Sequence, residues 1–162
     1  MKSIPRSKSI WIPLILMMSW MSVIFLMSTS VGDWHHSQDI IQGILKPVLR
    51  HPLSSNNLET LNFILRKLAH FSEYAFLLTL IYWGLRSRLS IKPQTLMAGV
   101  LFFVILFAIS DEYHQSFVPG RTSQLLDVMI DSAGASVTAI ATILFEQYRL
   151  KRNSSESHIS DL

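Results

Sequence analysis

Residues 110–131 read SDEYHQSFVPGRTSQLLDVMID and lie between two long apolar runs. The stretch concentrates polar side chains, among them Asp111, Glu112, His114, Gln115, Arg121, Asp127 and Asp131. A solvated loop between two helices needs no such cluster. The pattern therefore predicts that apolar helices meet around this segment and enclose a polar site.

The composition indicates a protein embedded in lipid. Hydrophobic residues make up 49 % of the 162 residues and charged residues 15 %, the latter well below the roughly 25 % of soluble domains. The net charge of +3 does not indicate a nucleic-acid partner, because the basic residues do not gather on one helix face and no nucleic-acid-reading motif is present. The chain has no cysteine, so any metal would need histidine and carboxylate ligands.

Four apolar segments have the length of transmembrane helices or nearly so, since about 20 residues cross a bilayer. They are Ile10 to Ser28, Leu68 to Leu85, Gln94 to Ile109 and Leu126 to Phe145. The first exceeds the apolar region of a signal peptide, about 7 to 15 residues, and no cleavage motif follows it. The predicted fold class is all-α: a polytopic membrane protein with four transmembrane helices. Small residues along the fourth segment favour close helix contact.

The chain divides into three parts on this interpretation: a basic cytoplasmic N-terminus (1–9), a four-helix membrane domain (10–145) and a polar cytoplasmic tail (146–162), with disorder expected after Asn153. Apolar residues recur at helical spacing from Ile40 to Leu49, which predicts a short amphipathic segment in the first external loop. A loop folded back on the bundle is the alternative. Asn56 and Glu59 have the spacing of a capping box, so the next helix is expected to begin there.

The basic residues indicate the orientation. If alternate loops share one side of the membrane, nine of the fourteen Lys and Arg residues lie on the side of both termini: Lys2, Arg6, Lys8, Arg86, Arg88, Lys92, Arg149, Lys151 and Arg152. Because loops rich in Lys and Arg remain cytoplasmic, we expect a multi-pass protein of the cytoplasmic membrane with both termini in the cytoplasm.

Ionisable residues in or beside the spans, with one amide among them, are the candidates for function, because a charge in a membrane helix is costly unless it faces the bundle interior, water or a partner. They are Lys67, His70 and Glu73 on the second helix, Asp111, Glu112 and Gln115 on the third, Asp127 and Asp131 on the fourth, and Arg121 in the VPGR turn. Three helices thus bring acid, base and amide groups to one level. This placement predicts a shared polar pocket that opens outward. Tyr74, on the same face of the second helix, is interpreted as a packing or interface aromatic.

Two segments, RKLAHFSEYAFLLTL and SDEYHQSFVPGRTSQLLDVMIDSAG, resemble the signature of the VanZ-like membrane proteins. That signature is K-x-x-H-x-x-E-Y and then S-D-E-x-x-Q-x-F-x-P-x-R-x-x-x-x-x-D-x-x-x-N-x-x-G, and the match runs from Lys67 to Gly134. Asp131 departs from it, since the family commonly has Asn there, and the exchange alters how the pocket holds protons or cations. The resemblance implies a small bacterial membrane protein of a family named for a member linked to low-level teicoplanin resistance. It implies no established reaction.

The leading interpretation of the pocket is binding. On this view the protein engages an anionic lipid-linked or amphiphilic molecule of the cell envelope, such as a membrane lipid or an envelope precursor, and thereby affects teicoplanin susceptibility. Arg121 and Lys67 would hold the headgroup, because Arg suits bidentate contact with phosphate or carboxylate.

Two other interpretations stay open. In the first, the protein is an intramembrane hydrolase or transferase, with His70 and Glu73 as half of a metal site that Asp111, Glu112 or Asp127 completes. In the second, the same groups form ion pairs that fix the packing of three helices. The sequence identifies no cofactor and leaves assembly as a homo-oligomer open.

Overall fold

The computed structural model describes residues 10–29, 43, 54–119 and 123–160, and these residues form four helices and no strand. The helices are α1 (Trp11–Met27), α2 (Ser55–Arg86), α3 (Pro93–Gln115) and α4 (Leu125–Ser160). The all-α prediction is therefore confirmed. The amphipathic segment predicted from Ile40 to Leu49 lies outside the described residues except for Gly43.

Two helix ends differ from the sequence-based prediction. The backbone of Ser54 is extended, with ψ of 149°, so α2 begins at Ser55 without a side-chain cap and already includes Asn56. The capping box predicted at Asn56 is therefore wrong. At the other end of the chain, α4 continues to Ser160, where disorder was expected after Asn153. Adding a residue to an existing helix costs far less than nucleating one, so a polar tail can extend a long helix.

The four helices alternate in direction. Pro13 lies against Gly84 and the Trp20 indole donates to the Glu73 carbonyl over 3.1 Å, so α1 and α2 are antiparallel. Lys67 of α2 pairs with Asp127 near the start of α4, and Arg86 pairs with Glu146 nineteen residues later on both helices. At 1.5 Å per residue the two pairs stand about 28 Å apart along parallel helices.

This alternation defines two ends of the bundle. We call the end where α1 and α3 finish and α4 begins the polar end. The opposite end, where α2 finishes and α3 begins, is the basic end, because Arg86, Arg88 and Lys92 lie there. The described residues between α2 and α3 thus lie at the end of the bundle opposite the start of α4.

Small residues of α4 allow close contact with α2, as predicted. Gly134 packs directly against the backbone carbonyl of Phe71, and a Cβ at this position would collide with it. Ala135 and Ala139 are buried in the same core. Opposite them stand the large buried side chains of α2, including Tyr74 and Leu77. The close approach places the ionisable residues of α2 directly beside those of α4.

Two of the described helices are long and apolar enough to cross a membrane: α3 and the Leu125–Asn153 part of α4. Only 28 % and 22 % of their most apolar 18-residue windows are buried, whereas a core helix of a soluble protein would be mostly buried. The apolar helix α1 is shorter, with 17 residues. His70 and Glu73 interrupt the apolar run of α2, which does not meet the same criterion.

Candidate functional site

The described candidate residues gather at the polar end. They come from three helices: Lys67, His70 and Glu73 from α2, Asp111, Glu112 and Gln115 from α3, and Asp127 and Asp131 from α4. Arg121, predicted to fold over them, lies outside the described residues. Four carboxyl groups in this set are buried, and we call them the acid cluster: Asp111, Glu112, Asp127 and Asp131, each 1–4 % exposed.

Two ion pairs join α2 to α4. Lys67 Nζ contacts Asp127 Oδ1 and also lies 5.1 Å from the centre of the Phe63 ring. One turn further along, His70 Nδ1 lies 3.2 Å from Asp131 Oδ1, although the two atoms lack hydrogen-bond geometry. Lys67 and His70 are three residues apart on α2, and Asp127 and Asp131 are four apart on α4, so each pair of residues lies on one helix face. Because α2 and α4 run parallel, these two faces can form two successive contacts.

A separate hydrogen-bonded group joins α1 to α3. The Ser28 hydroxyl lies 2.6 and 2.7 Å from the two carboxylate oxygens of Asp111, to which it donates. The Gln115 amide donates to Asp111 Oδ2 over 3.1 Å from the next turn of α3. Sequence reasoning missed Ser28 because it reads as the boundary of the first span. The contact could have been predicted, because α1 and α3 end at the same level in an alternating bundle and this brings Ser28 close to Asp111.

Glu112 links α3 to the start of α4. One carboxylate oxygen, Oε1, accepts a hydrogen bond from the backbone amide of Gln124, just before α4 begins. The other, Oε2, is buried and has no hydrogen-bond partner among the described residues. Glu112 also lies within electrostatic range of Asp127 and His70. The side chain therefore closes the acid cluster on the side of the α3–α4 connection.

Tyr74 lies between the two groups of contacts. Its side chain is fully buried in the core, which confirms the packing interpretation. Its hydroxyl faces the carboxyl groups of Asp111 and Asp131, without meeting full hydrogen-bond geometry to either. A buried hydroxyl without a partner costs free energy, so a purely packing role would favour Phe at this position. Sequence reasoning did not identify this polar function.

The cluster carries more acid than base. Lys67, together with His70 when its imidazole is protonated, supplies positive charge to its four buried carboxyl groups. Arg121 would bring this number to three. Buried charge needs a partner, so the cluster calls for protons or for a cationic group from elsewhere.

The metal site considered from the sequence is not assembled in the described residues. Within them, no group of three or more His, Asp or Glu side chains is placed to hold a metal ion. His70 contacts Asp131, and Asp127 contacts Lys67. In the described residues these side chains are placed to pair with one another.

One comparison with known proteins assigns the chain to a family. The family model described as VanZ/LLP1 matches residues 13–146, a range that includes Ser28, the acid cluster and the Arg86–Glu146 pair. No curated protein and no solved structure matches the chain. The family and the two apolar helices are consistent with a membrane protein. Since the match covers most of its length, the chain belongs to the VanZ/LLP1 family.

Proposed function

We propose that the chain is an integral membrane protein of the bacterial cell envelope whose polar end binds the headgroup of a lipid-linked or amphiphilic envelope molecule. Its four helices cross the cytoplasmic membrane with both termini inside, so the polar end faces outward. By occupying or sequestering that molecule, the protein changes susceptibility to glycopeptides such as teicoplanin. This proposal combines the family, the surface of the helices and the polar atoms of the acid cluster.

The surface of the bundle supports the membrane part of the proposal. Large apolar side chains are exposed along the helices, for example Phe102 at 65 % and Ile140 at 62 %. Such a surface is stable in lipid and would promote aggregation in water. Arg149, Lys151 and Arg152 continue α4 beyond the basic end, where basic residues favour the cytoplasmic side.

The observation that carries the binding part is the set of buried polar atoms left without partners. Glu112 Oε2 and the Tyr74 hydroxyl lack hydrogen-bond partners in the described chain although both residues are at most 4 % exposed. More than 90 % of buried polar groups in native proteins are paired, with protein or with water. Ordered water or the polar headgroup of a bound molecule can supply these partners. In our proposal the headgroup supplies them.

The structure changes which residue would hold an anionic part of the headgroup. Lys67, assigned to this role from the sequence, is paired with Asp127. Arg121 therefore takes the role in our proposal, since a guanidinium can hold a phosphate or carboxylate through two parallel hydrogen bonds. Lys67 then acts indirectly, by neutralising Asp127 beside the site.

The proposal can be tested by identifying what the protein retains. Full-length protein is purified in a mild detergent, extracted with organic solvent and analysed by mass spectrometry, beside Arg121→Ala and the control Arg149→Ala. Arg149 is an exposed arginine of α4 on the far side of the bundle. We expect an anionic amphiphile to be enriched with the parent protein and the control but not with Arg121→Ala. Equal recovery from all three proteins would contradict the proposal.

A further inference from the structure

We propose that the outer face of α4 at the basic end binds the phosphate headgroup of an anionic membrane phospholipid. The site consists of two aromatic residues and two arginines, which we call the aromatic–basic patch: Phe145, Tyr148, Arg149 and Arg152. The patch lies at the other end of the bundle from the acid cluster. The inference therefore goes beyond the proposed function and shares with it only the placement of the helices in a membrane.

The aromatic–basic patch is directed away from the bundle. Its members are spaced three, four and seven residues from Phe145, so they lie along one side of the helix. The pair between Glu146 and Arg86 marks the side of α4 that faces α2. Tyr148 is two residues from Glu146, which places it about 160° around the helix from that side. Phe145 and Tyr148 are 53 % and 64 % exposed, and both arginines of the patch are exposed as well.

An exposed apolar stripe leads to the patch along the same side of α4. Val137 and Leu144 precede Tyr148 by eleven and four residues, which is the spacing of residues on one helix face. Both are large apolar side chains exposed on the surface of the bundle. This face of α4 thus presents apolar side chains first, then Tyr148, and then the arginines. A phospholipid has the matching order of acyl chain, interface and charged headgroup.

The position of the patch along α4 matches the level of lipid headgroups. Asp127 lies near the start of the helix, and Arg149 follows it by 22 residues. At 1.5 Å per residue this separation is about 33 Å, close to the thickness of about 30 Å of a bilayer's hydrocarbon core. If the acid cluster lies at one membrane surface, the guanidinium of Arg149 therefore lies at the other. Tyr148 is then at the interface, where tyrosine is enriched in membrane proteins.

The side chains of the patch suit a phosphate with a net negative charge. Arg149 Cζ lies 5.8 Å from the centre of the Phe145 ring, a cation–π contact that keeps the guanidinium beside the apolar stripe. From there it can hold a phosphate through two parallel hydrogen bonds, and the Tyr148 hydroxyl can donate a third. The ammonium of a zwitterionic headgroup would be repelled by the arginines. Basic residues directly beyond a transmembrane helix accordingly attract anionic lipids.

The first experiment compares lipids that differ only in the headgroup. The full-length protein in detergent is incubated with phosphatidylglycerol, phosphatidylethanolamine or phosphatidylcholine of identical acyl chains, and binding is measured by native mass spectrometry. We expect phosphatidylglycerol to bind at least about fivefold more tightly than the other two, since each Lys or Arg near an anionic lipid surface contributes about 1 kcal/mol. Excess inorganic phosphate should not displace it, because phosphate lacks the acyl chains. Equal binding of the three lipids, or displacement by phosphate, would overturn the inference.

The second experiment separates the patch from the net charge of the helix. Arg149→Ala should weaken phosphatidylglycerol binding by about fivefold. Lys151→Ala is the matched control, because Lys151 is also exposed and basic but lies about 160° around the helix from Arg149. It should change the affinity by less than about twofold. Equal losses from the two variants would refute the patch. An amphiphile bound at the polar end should be retained by Arg149→Ala, so this inference and the proposed function can fail separately.

Discussion

The two ends of the α2–α4 contact use the same kind of ion pair in different surroundings. At the basic end, Arg86 and Glu146 are 32 % and 13 % exposed, and their atoms are 3.3 Å apart. At the polar end, Lys67 and Asp127 are 16 % and 3 % exposed, and a second pair of His70 and Asp131 follows one turn later. The basic-end pair can be explained as an ordinary contact between helices. The polar end has buried acids beyond those that Lys67 and His70 contact, as the proposed binding role requires.

Because the Lys67–Asp127 pair is more buried than the Arg86–Glu146 pair, breaking it should have the largest effect on the free energy of unfolding. Asp127→Ala leaves the Lys67 ammonium buried without its partner, which should lower the free energy of unfolding by about 3–5 kcal/mol. Unfolding of the purified protein in detergent, followed by circular dichroism, would measure the loss. The double variant Lys67→Met with Asp127→Leu should recover most of it, because no uncompensated charge remains. A loss below that of Arg86→Ala would contradict the account of the polar end.

The hydrogen bonds between Ser28 and Asp111 provide a second test of whether contacts buried at the polar end contribute more stability than exposed ones. Ser28→Ala removes the donor that contacts both oxygens of Asp111, and we expect a loss of about 1.5–3 kcal/mol, as for hydrogen bonds to charged groups. Ser22→Ala is the control, because Ser22 is exposed and its hydroxyl bonds only to the Met18 carbonyl of its own helix. Equal effects of the two substitutions would mean that the contact with Asp111 contributes no stability.

Helix packing can be compared at the two ends through glycine. Gly134→Ala places a methyl group against the Phe71 backbone, and overpacking of this kind costs about 1–3 kcal/mol. Gly84→Ala should cost less, because its Cβ would lie 2.6 Å from a Pro13 side-chain atom and α1 has more freedom to shift than a paired backbone. Gly99→Ala, which meets nothing within 4 Å, should be stabilising by up to about 1 kcal/mol. Thermal unfolding that ranks the three otherwise would contradict the packing of α2 on α4.

The smallest effect is expected for the basic-end pair. Arg86→Ala should change the free energy of unfolding by about 1 kcal/mol or less, since partly exposed pairs gain little and long side chains lose entropy on pairing. It should also leave lipid retention unchanged. A loss of several kcal/mol would show that both ends of the α2–α4 contact are structural in the same way, and the contrast between them would disappear.

The sequence allowed the gathering of the acids to be predicted but not their pairing. Apolar segment lengths predicted four helices, and alternation of those helices placed Lys67, Asp111 and Asp127 at one end. Which acid meets Lys67 depends on the rotation of each helix about its axis and on the close contact at Gly134, and neither is encoded in spacing alone. Ser28 was missed for the same reason. Its importance depends on Asp111, which is distant in the chain and on another helix.

The helix ends were the least predictable part of the fold. Asn56 and Glu59 have the spacing of a capping box, yet the extended backbone of Ser54 starts α2 earlier. The polar composition after Asn153 favours disorder, yet α4 continues because its preceding turns already provide a nucleus. In both places the adjoining helix extends through residues whose local sequence pattern predicted a helix boundary or disorder.

In the proposed topology the polar end faces the outside of the cell, and the accessibility of single cysteines to a thiol reagent can establish this orientation. The chain has no cysteine of its own, so Ser54→Cys, next to the start of α2, and Ser90→Cys, between α2 and α3, each add one exposed reporter. A membrane-impermeant thiol reagent should label position 54 in intact cells and position 90 only after the membrane is permeabilised. Labelling of position 90 alone in intact cells would place the acid cluster on the cytoplasmic side and contradict the account.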